Sequence, residues 1–118
     1  HLPDGLTADA ATAAPSLSWN RADALQDQLL RSVFRRSIRR PIHYIPTAEG
    51  FGAAVRAGLG WGMYPEQLVD ASFVPITDAH LDVPLYWQSW KLDSDTVAQV
   101  TDAVTAAAMG LRRRRRER

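Results

Sequence analysis

Hydrophobic positions along the chain switch repeatedly between a helical and an alternating spacing. Leu25, Leu29 and Val33 recur at helical intervals, with Leu30 and Phe34 widening the stripe, and predict a helix over roughly 21–36. Phe51, Ala54, Val55 and Gly58 repeat that pattern and predict a helix from the Thr47 cap to about Ala57. Val97, Val100, Val104 and Ala107 do the same for a last helix, from near Ser94 to about Leu111. A short helix over 8–13 is capped by Thr7 and ended by Pro15. Between these lie predicted strands at Ser16–Trp19, Ile42–Ile45, Leu59–Tyr64, Phe73–Ile76 and Val83–Trp90, with a helical turn from Pro65 to about Val69. Strands and helices mostly alternate, which predicts an α/β layer structure with a largely parallel sheet.

Five of the seven glycines fall between Gly50 and Gly62. Gly58 follows the last periodic position, where a left-handed residue ends a helix. Gly60 and Gly62 are two apart in a predicted strand, so they leave one face bare, and Leu59, Trp61 and Met63 take the other. The expected occupant of the bare face is the preceding helix, through the small Ala53, Ala54 and Ala57. A phosphate loop is excluded: its glycines precede a helix and end in Lys-Ser or Lys-Thr, whereas these mostly follow one. The dinucleotide fingerprint fails likewise, because Gly58-Leu59-Gly60-Trp61-Gly62 leads to Met-Tyr-Pro rather than a long helix.

The chain of 118 residues is long enough for one modest core, and 46% hydrophobic with 23% charged residues places it among globular proteins. The absence of cysteine excludes a disulfide framework, a thiolate metal site and a cysteine nucleophile. The net charge of +1 hides a skew, since the last seven residues read RRRRRER. Nothing resembles a signal peptide, and no apolar run approaches the ~20 residues of a membrane span. A cytoplasmic location without membrane association is therefore expected. His1-Leu2-Pro3-Asp4-Gly5 reads like the middle of a longer chain, so a fragment is expected.

Candidate chemistry is sparse. His1, His43 and His80 lack metal-ligand spacing, so neither a metal nor a cofactor is expected. No serine sits in a GxSxG elbow, and no acid, base and nucleophile stand at telling spacing. Asp93 and Asp95 read as caps of the final helix. Arg35, Arg36, Arg39 and Arg40 read first as a solvated helix end, with nucleic-acid contact as the alternative. Residues 112–118 read as a disordered basic tail with nonspecific, salt-dependent attraction to DNA. What does sit at a strand-to-helix junction is Ile45-Pro46-Thr47-Ala48-Glu49. Ligands of open α/β sheets bind beyond the carboxyl ends of strands, and free helix N–H groups favour an anion such as a carboxylate.

HYIPTAEGFGAAVRAGLGWGMYPEQLV at 43–69 resembles the second lobe of the effector-binding domain of LysR-type transcriptional regulators. The likeness extends to VPLYWQSWKLDSDTVAQVTDAV at 83–104 and, with WNRADALQDQL at 19–29, points to the ArgP/LysG-type branch, which senses basic amino acids and controls their export. The resemblance implies a fold like that of type 2 periplasmic binding proteins, with two α/β lobes clasping a small effector. It implies an N-terminal winged helix-turn-helix on promoter DNA, a homodimer or homotetramer, and no catalysis. Residues 1–93 would form the second lobe, 94–111 the closing helix of an absent first lobe, and 112–118 the tail. The link from Pro65 to Phe73 is shorter than the family pattern.

Carried over residue by residue, the effector contacts fall on Ser18, Trp19 and Asn20 at one turn, and on Thr47, Ala48 and Glu49 beside Pro46 at the other. Thr47 and neighbouring N–H groups would hold an α-carboxylate, Asp23 and Glu49 would face the cationic end, and Trp61 would line the wall. Each has a plainer reading: Thr47 as a cap, Glu49 as a dipole partner, Asp23 as a solvated helix residue, Trp61 as core. A solute-binding lobe for an amino acid is the alternative on the same scaffold.

Overall fold

The computed structural model describes Leu2 and residues 4–111. The basic tail expected at 112–118 lies outside the described residues. The chain divides into two compact units, His1–Leu81 and Asp82–Arg118, so the division falls before the expected boundary at residues 93 and 94.

In the first unit α1 spans Ala8–Ala13, and the Thr7 hydroxyl accepts the Ala10 N–H at 3.1 Å. β1 spans Ser16–Ser18 and β2 spans Ile42–Tyr44; they pair in parallel with Ser16 opposite Ile42 and Ser18 opposite Tyr44. β1 is the inner strand, buried along its length. Its other edge takes Trp61: Leu17 N–H donates to the Trp61 carbonyl at 2.7 Å and Trp61 N–H to the Pro15 carbonyl at 3.1 Å. Both pairings are parallel, and the fold is α/β.

Three expected strands are not formed. Leu59–Tyr64 contracts to a single bridge at Trp61. Phe73–Ile76 contains Pro75, which has no N–H to donate, and keeps one link, from Leu6 N–H to the Ile76 carbonyl. Its aromatic residue turns to side-chain work instead: Phe73 stacks on Tyr64 and carries Arg56 4.5 Å above its ring. Val83–Trp90 lies in the second unit, whose described residues form no sheet to receive it.

α2 spans Leu25–Phe34, starting later than its pattern suggests. The delay is chemical. Asn20 Oδ1 accepts the N–H groups of Ala22 and Asp23, and Asp23 Oδ1 accepts that of Leu25 at 3.1 Å. Short polar side chains thus supply the backbone with a turn in place of a first helical turn. α3 spans Ala48–Arg56, with the Thr47 hydroxyl accepting the Gly50 N–H at 3.1 Å. A short 3₁₀ turn, Glu66–Leu68, follows Pro65.

β1 sorts its side chains between two buried clusters. Leu17 packs with Phe51 and Ala54 of α3. Ser16 and Ser18, one residue to either side, face α2 and its neighbourhood through Arg40 and Gln26. The second cluster joins Ala11, Leu29, Leu30, Ile38 and Trp61. Fully burying a side chain such as Phe51, Leu17 or Leu30 contributes about 1.5–3 kcal/mol.

The glycines account for how closely these layers meet. Gly58 takes the left-handed conformation expected of it, with φ +75. The close approach at Gly60 and Gly62 differs from expectation. A Cβ on Gly60 would stand 2.5 Å from the Pro15 carbonyl oxygen, so the bare face meets backbone leading into β1. A Cβ on Gly62 would strike the Phe51 ring, so α3 does approach here, through an aromatic residue rather than alanine.

In the second unit, residues 82–94 form neither helix nor strand, and α4 spans Asp95–Met109. Trp87 Nε1 donates to Thr101 Oγ1 at 3.2 Å. Leu85, Tyr86 and Trp90 are largely exposed, and α4 buries none of its residues.

Candidate functional site

Parallel pairing puts the carboxyl ends of β1 and β2 side by side. Ser18 lies opposite Tyr44, and Ile45 N–H donates to the Ser18 carbonyl at 2.8 Å. The chain leaves this edge through Trp19-Asn20 on one side and Pro46-Thr47 on the other. The two turns singled out in the sequence are thereby brought to one rim. Arg21 spans it, its guanidinium carbon 5.5 Å from the Tyr44 ring centroid.

Within that rim the expected residues divide by role. Thr47 caps α3 as described, and the first-turn amides behind it have no intrahelical acceptor. The Ala48 carbonyl accepts the Tyr64 hydroxyl at 3.2 Å, which ties the start of α3 to the Phe51–Tyr64–Phe73 stack. Glu49 is exposed in the first turn. On the other side Trp19 is 37% exposed and Asn20 is exposed.

Two residues are committed to the fold. Ser18 is 3% exposed and its hydroxyl donates to Gln26 Oε1 at 3.3 Å. Asp23 accepts Trp19 N–H with Oδ2 and Leu25 N–H with Oδ1, so it locks the turn before α2 rather than standing as a solvated helix residue.

Trp61 does not sit at the rim. It is 6% exposed within the cluster of Ala11, Leu29, Leu30 and Ile38, with Arg40 stacked 5.5 Å from its ring centroid. The sequence reading as pocket wall is corrected: its alternation with Gly60 and Gly62 sends it inward against α2.

Arg40 is likewise not part of a solvated helix end. Its side chain is 3% exposed, donating to Ser16 Oγ at 2.8 Å, to Asp27 Oδ1 at 2.7 Å and to the Ile38 carbonyl. Four arginines close together gave no sign of which one turns inward.

Gln26, missed in the sequence, is 1% exposed behind Ser18, and its Nε2 has no partner among the described residues. Its spacing of three and four from Leu29 and Leu30 was the available signal. Among titrating groups, Asp70 is held below the ordinary carboxylate range, first by the Ser72 hydroxyl, then by the Ser72 amide and Arg56. No group of three His, Asp or Glu residues suited to a metal occurs among the described residues. No helix among them is long and apolar enough to cross a membrane.

The fold matches known proteins closely. The HTH-type transcriptional regulator LysG of Mycobacterium tuberculosis is 62% identical over 123 residues, covering 100% of this chain and 41% of its own length. The chain belongs to the LysR-type transcriptional regulators. The crystal structure of ArgP from Mycobacterium tuberculosis superposes with a TM-score of 0.88 at 64% identity, over 96% of this chain and 41% of that one. The C-terminal domains of a LysR family protein from Agrobacterium tumefaciens superpose at 0.81 with 34% identity, over 93% of this chain and 56% of that one. Full-length LysG of Corynebacterium glutamicum with bound effector Arg superposes at 0.73 with 39% identity, over 86% of this chain and 37% of that one. No protein-family model matches. The chain thus spans about two fifths of its first relatives, which are regulators rather than enzymes.

Proposed function

We propose that this chain is the effector-sensing part of a cytoplasmic LysR-type regulator that binds a basic amino acid and controls its export. The observation that carries the reading is the likeness to LysG of Corynebacterium glutamicum, solved with bound effector Arg, combined with a rim that offers helix N–H groups beside an exposed acid. Relatives named as lysine export regulators support the same substrate class. The relatives are transcriptional regulators, so the solute-binding alternative has no observation in its favour.

On this reading residues up to Leu81 form a lobe of the type 2 periplasmic-binding-protein kind. The first-turn amides of α3 at Ala48 and Glu49, beside Thr47, receive the α-carboxylate. The Glu49 carboxylate faces the cationic end, and Trp19 and Asn20 border the ligand from the β1 turn. Ser18 and Asp23 hold that turn in place. The segment from Asp82 with α4 joins a second lobe supplied by chain upstream, which also carries the winged helix for promoter DNA. The regulator acts as a homodimer or homotetramer. Effector binding favours one lobe closure and shifts the population of DNA-bound states.

Calorimetric titration of the full-length regulator with arginine and with lysine tests the site. Losing one charge-assisted hydrogen bond corresponds to roughly a tenfold rise in Kd, which is the effect expected of Glu49→Gln. Unchanged affinity for both amino acids would remove Glu49 from the site, and no heat of binding with either would reject the effector class.

A further inference from the structure

The ten residues Arg31–Arg40 hold five arginines and no acid. Arg40 is buried and paired, but Arg31, Arg35, Arg36 and Arg39 are all exposed. The ion pairs among the described residues join Arg40 to Asp27 and Arg56 to Asp70, and none uses these four. The stacked cations, Arg21, Arg40 and Arg56, are likewise other arginines. Asp27, the acid nearest in sequence, is taken by Arg40.

Local geometry folds the run into a tight turn after α2. Arg35 ends α2 in the left-handed conformation, φ 57, with its N–H donating to the Arg31 carbonyl at 3.0 Å. This reversal turns Arg36 and the residues after it away from the helix axis. Arg31 Nε donates to Ser37 Oγ at 3.4 Å, across the turn.

The negative end of α2 accounts for a cation or two. It does not account for Arg35, because this position suits glycine and strains any other side chain except asparagine or aspartate. A charged residue held in a sparsely populated conformation points from strain to use.

We infer that Arg31, Arg35, Arg36 and Arg39 form a phosphate-binding face that grips double-stranded DNA through its backbone, without reading sequence. The inference rests on the regulator reading, which brings a duplex into the same complex. Guanidinium groups pair with phosphate oxygens bidentately, and all the cations here are arginine. Docking to another protein centres on buried aromatic or aliphatic anchors, and here Val33, 37% exposed, is the only large hydrophobic residue exposed between Arg31 and Arg40.

The test uses the full-length regulator and a random-sequence duplex, with affinity followed by fluorescence anisotropy as salt is raised. Each phosphate contact contributes about 0.9 to the slope of log K against log salt. Arg35→Gly should lower that slope by about one contact's worth while raising the melting temperature, since glycine relieves the left-handed residue. Opposite signs on binding and stability cannot arise from misfolding. Arg35→Gly with Arg36→Ala and Arg39→Ala should lower the slope by about three contacts' worth. Glu66→Gln, in the 3₁₀ turn after Pro65, should leave it unchanged. An unchanged slope in the triple variant overturns the inference while leaving the regulator reading intact. So does an altered sedimentation coefficient with an unchanged slope, which would mark the face as a contact between copies. A wild-type protein that binds no duplex removes the regulator reading and this face together.

Discussion

Gly60 and Gly62 look equivalent in the sequence, and the structure gives them different neighbours. Gly60 lies against main chain, the Pro15 carbonyl, which cannot move without disturbing β1. Gly62 lies against the edge of a side chain, the Phe51 ring. Overpacking at either site costs about 1–3 kcal/mol, but relief differs. Gly62→Ala should be partly rescued by Phe51→Leu, with a coupling of about 1 kcal/mol in a double-mutant cycle followed by urea unfolding. Gly60→Ala combined with Phe51→Leu should be additive within about 0.5 kcal/mol. Additivity in both pairs would mean that the Phe51 ring is not what keeps residue 62 small. The sequence showed that two glycines on one strand face admit a close neighbour. It could not show which neighbour, because the partner at Gly60 is backbone, and backbone leaves no mark in residue identity.

Elements were legible where their information is local. α1, α3 and α4 follow their apolar spacing and caps to within about two residues, the ordinary uncertainty of helix ends. α2 departs further at its start because Asn20 and Asp23 compete for the backbone, and an apolar pattern is blind to polar side chains folding back on their own turn. Their placement gives Asp23 two separable duties, turn lock and charge beside the rim. Asp23→Ala should lose both hydrogen bonds accepted from backbone N–H groups and destabilise by about 1 kcal/mol, as a lost cap does. Asp23→Asn keeps one oxygen acceptor, loses one of the two hydrogen bonds, and should cost about half of that. If Asp23 only positions the turn, Asn should leave arginine affinity in the full-length regulator nearly unchanged. A tenfold loss with Asn, beside only that small destabilisation, would instead return Asp23 to direct contact with the cationic end. The rim itself was readable for the same local reason. Two strand-to-helix junctions were visible, and parallel pairing sets their exits side by side.

At the scale of the molecule, the expected strand that keeps no pairing is Val83–Trp90, in the unit without a sheet among its described residues. Val83–Trp90 alternates and is rich in aromatic and branched residues, yet an isolated strand gains nothing until an edge receives its N–H and carbonyl groups. Its exposed Leu85, Tyr86 and Trp90, with an α4 that buries none of its residues, are what an unfilled half of a layer looks like. If upstream chain supplies that layer, hydrogen exchange should separate two preparations. In the full-length regulator, the amides of Leu85 to Trp90 should be protected by a factor of about 100 or more, roughly 3 kcal/mol of local opening. In the 118-residue chain alone they should exchange almost as fast as an unstructured peptide, while the amides of Leu17 and Phe51 stay protected in both. Equal exchange at Leu85–Trp90 in the two preparations would show that this segment finds no sheet upstream, and the two-lobe assignment would then fail for the second unit.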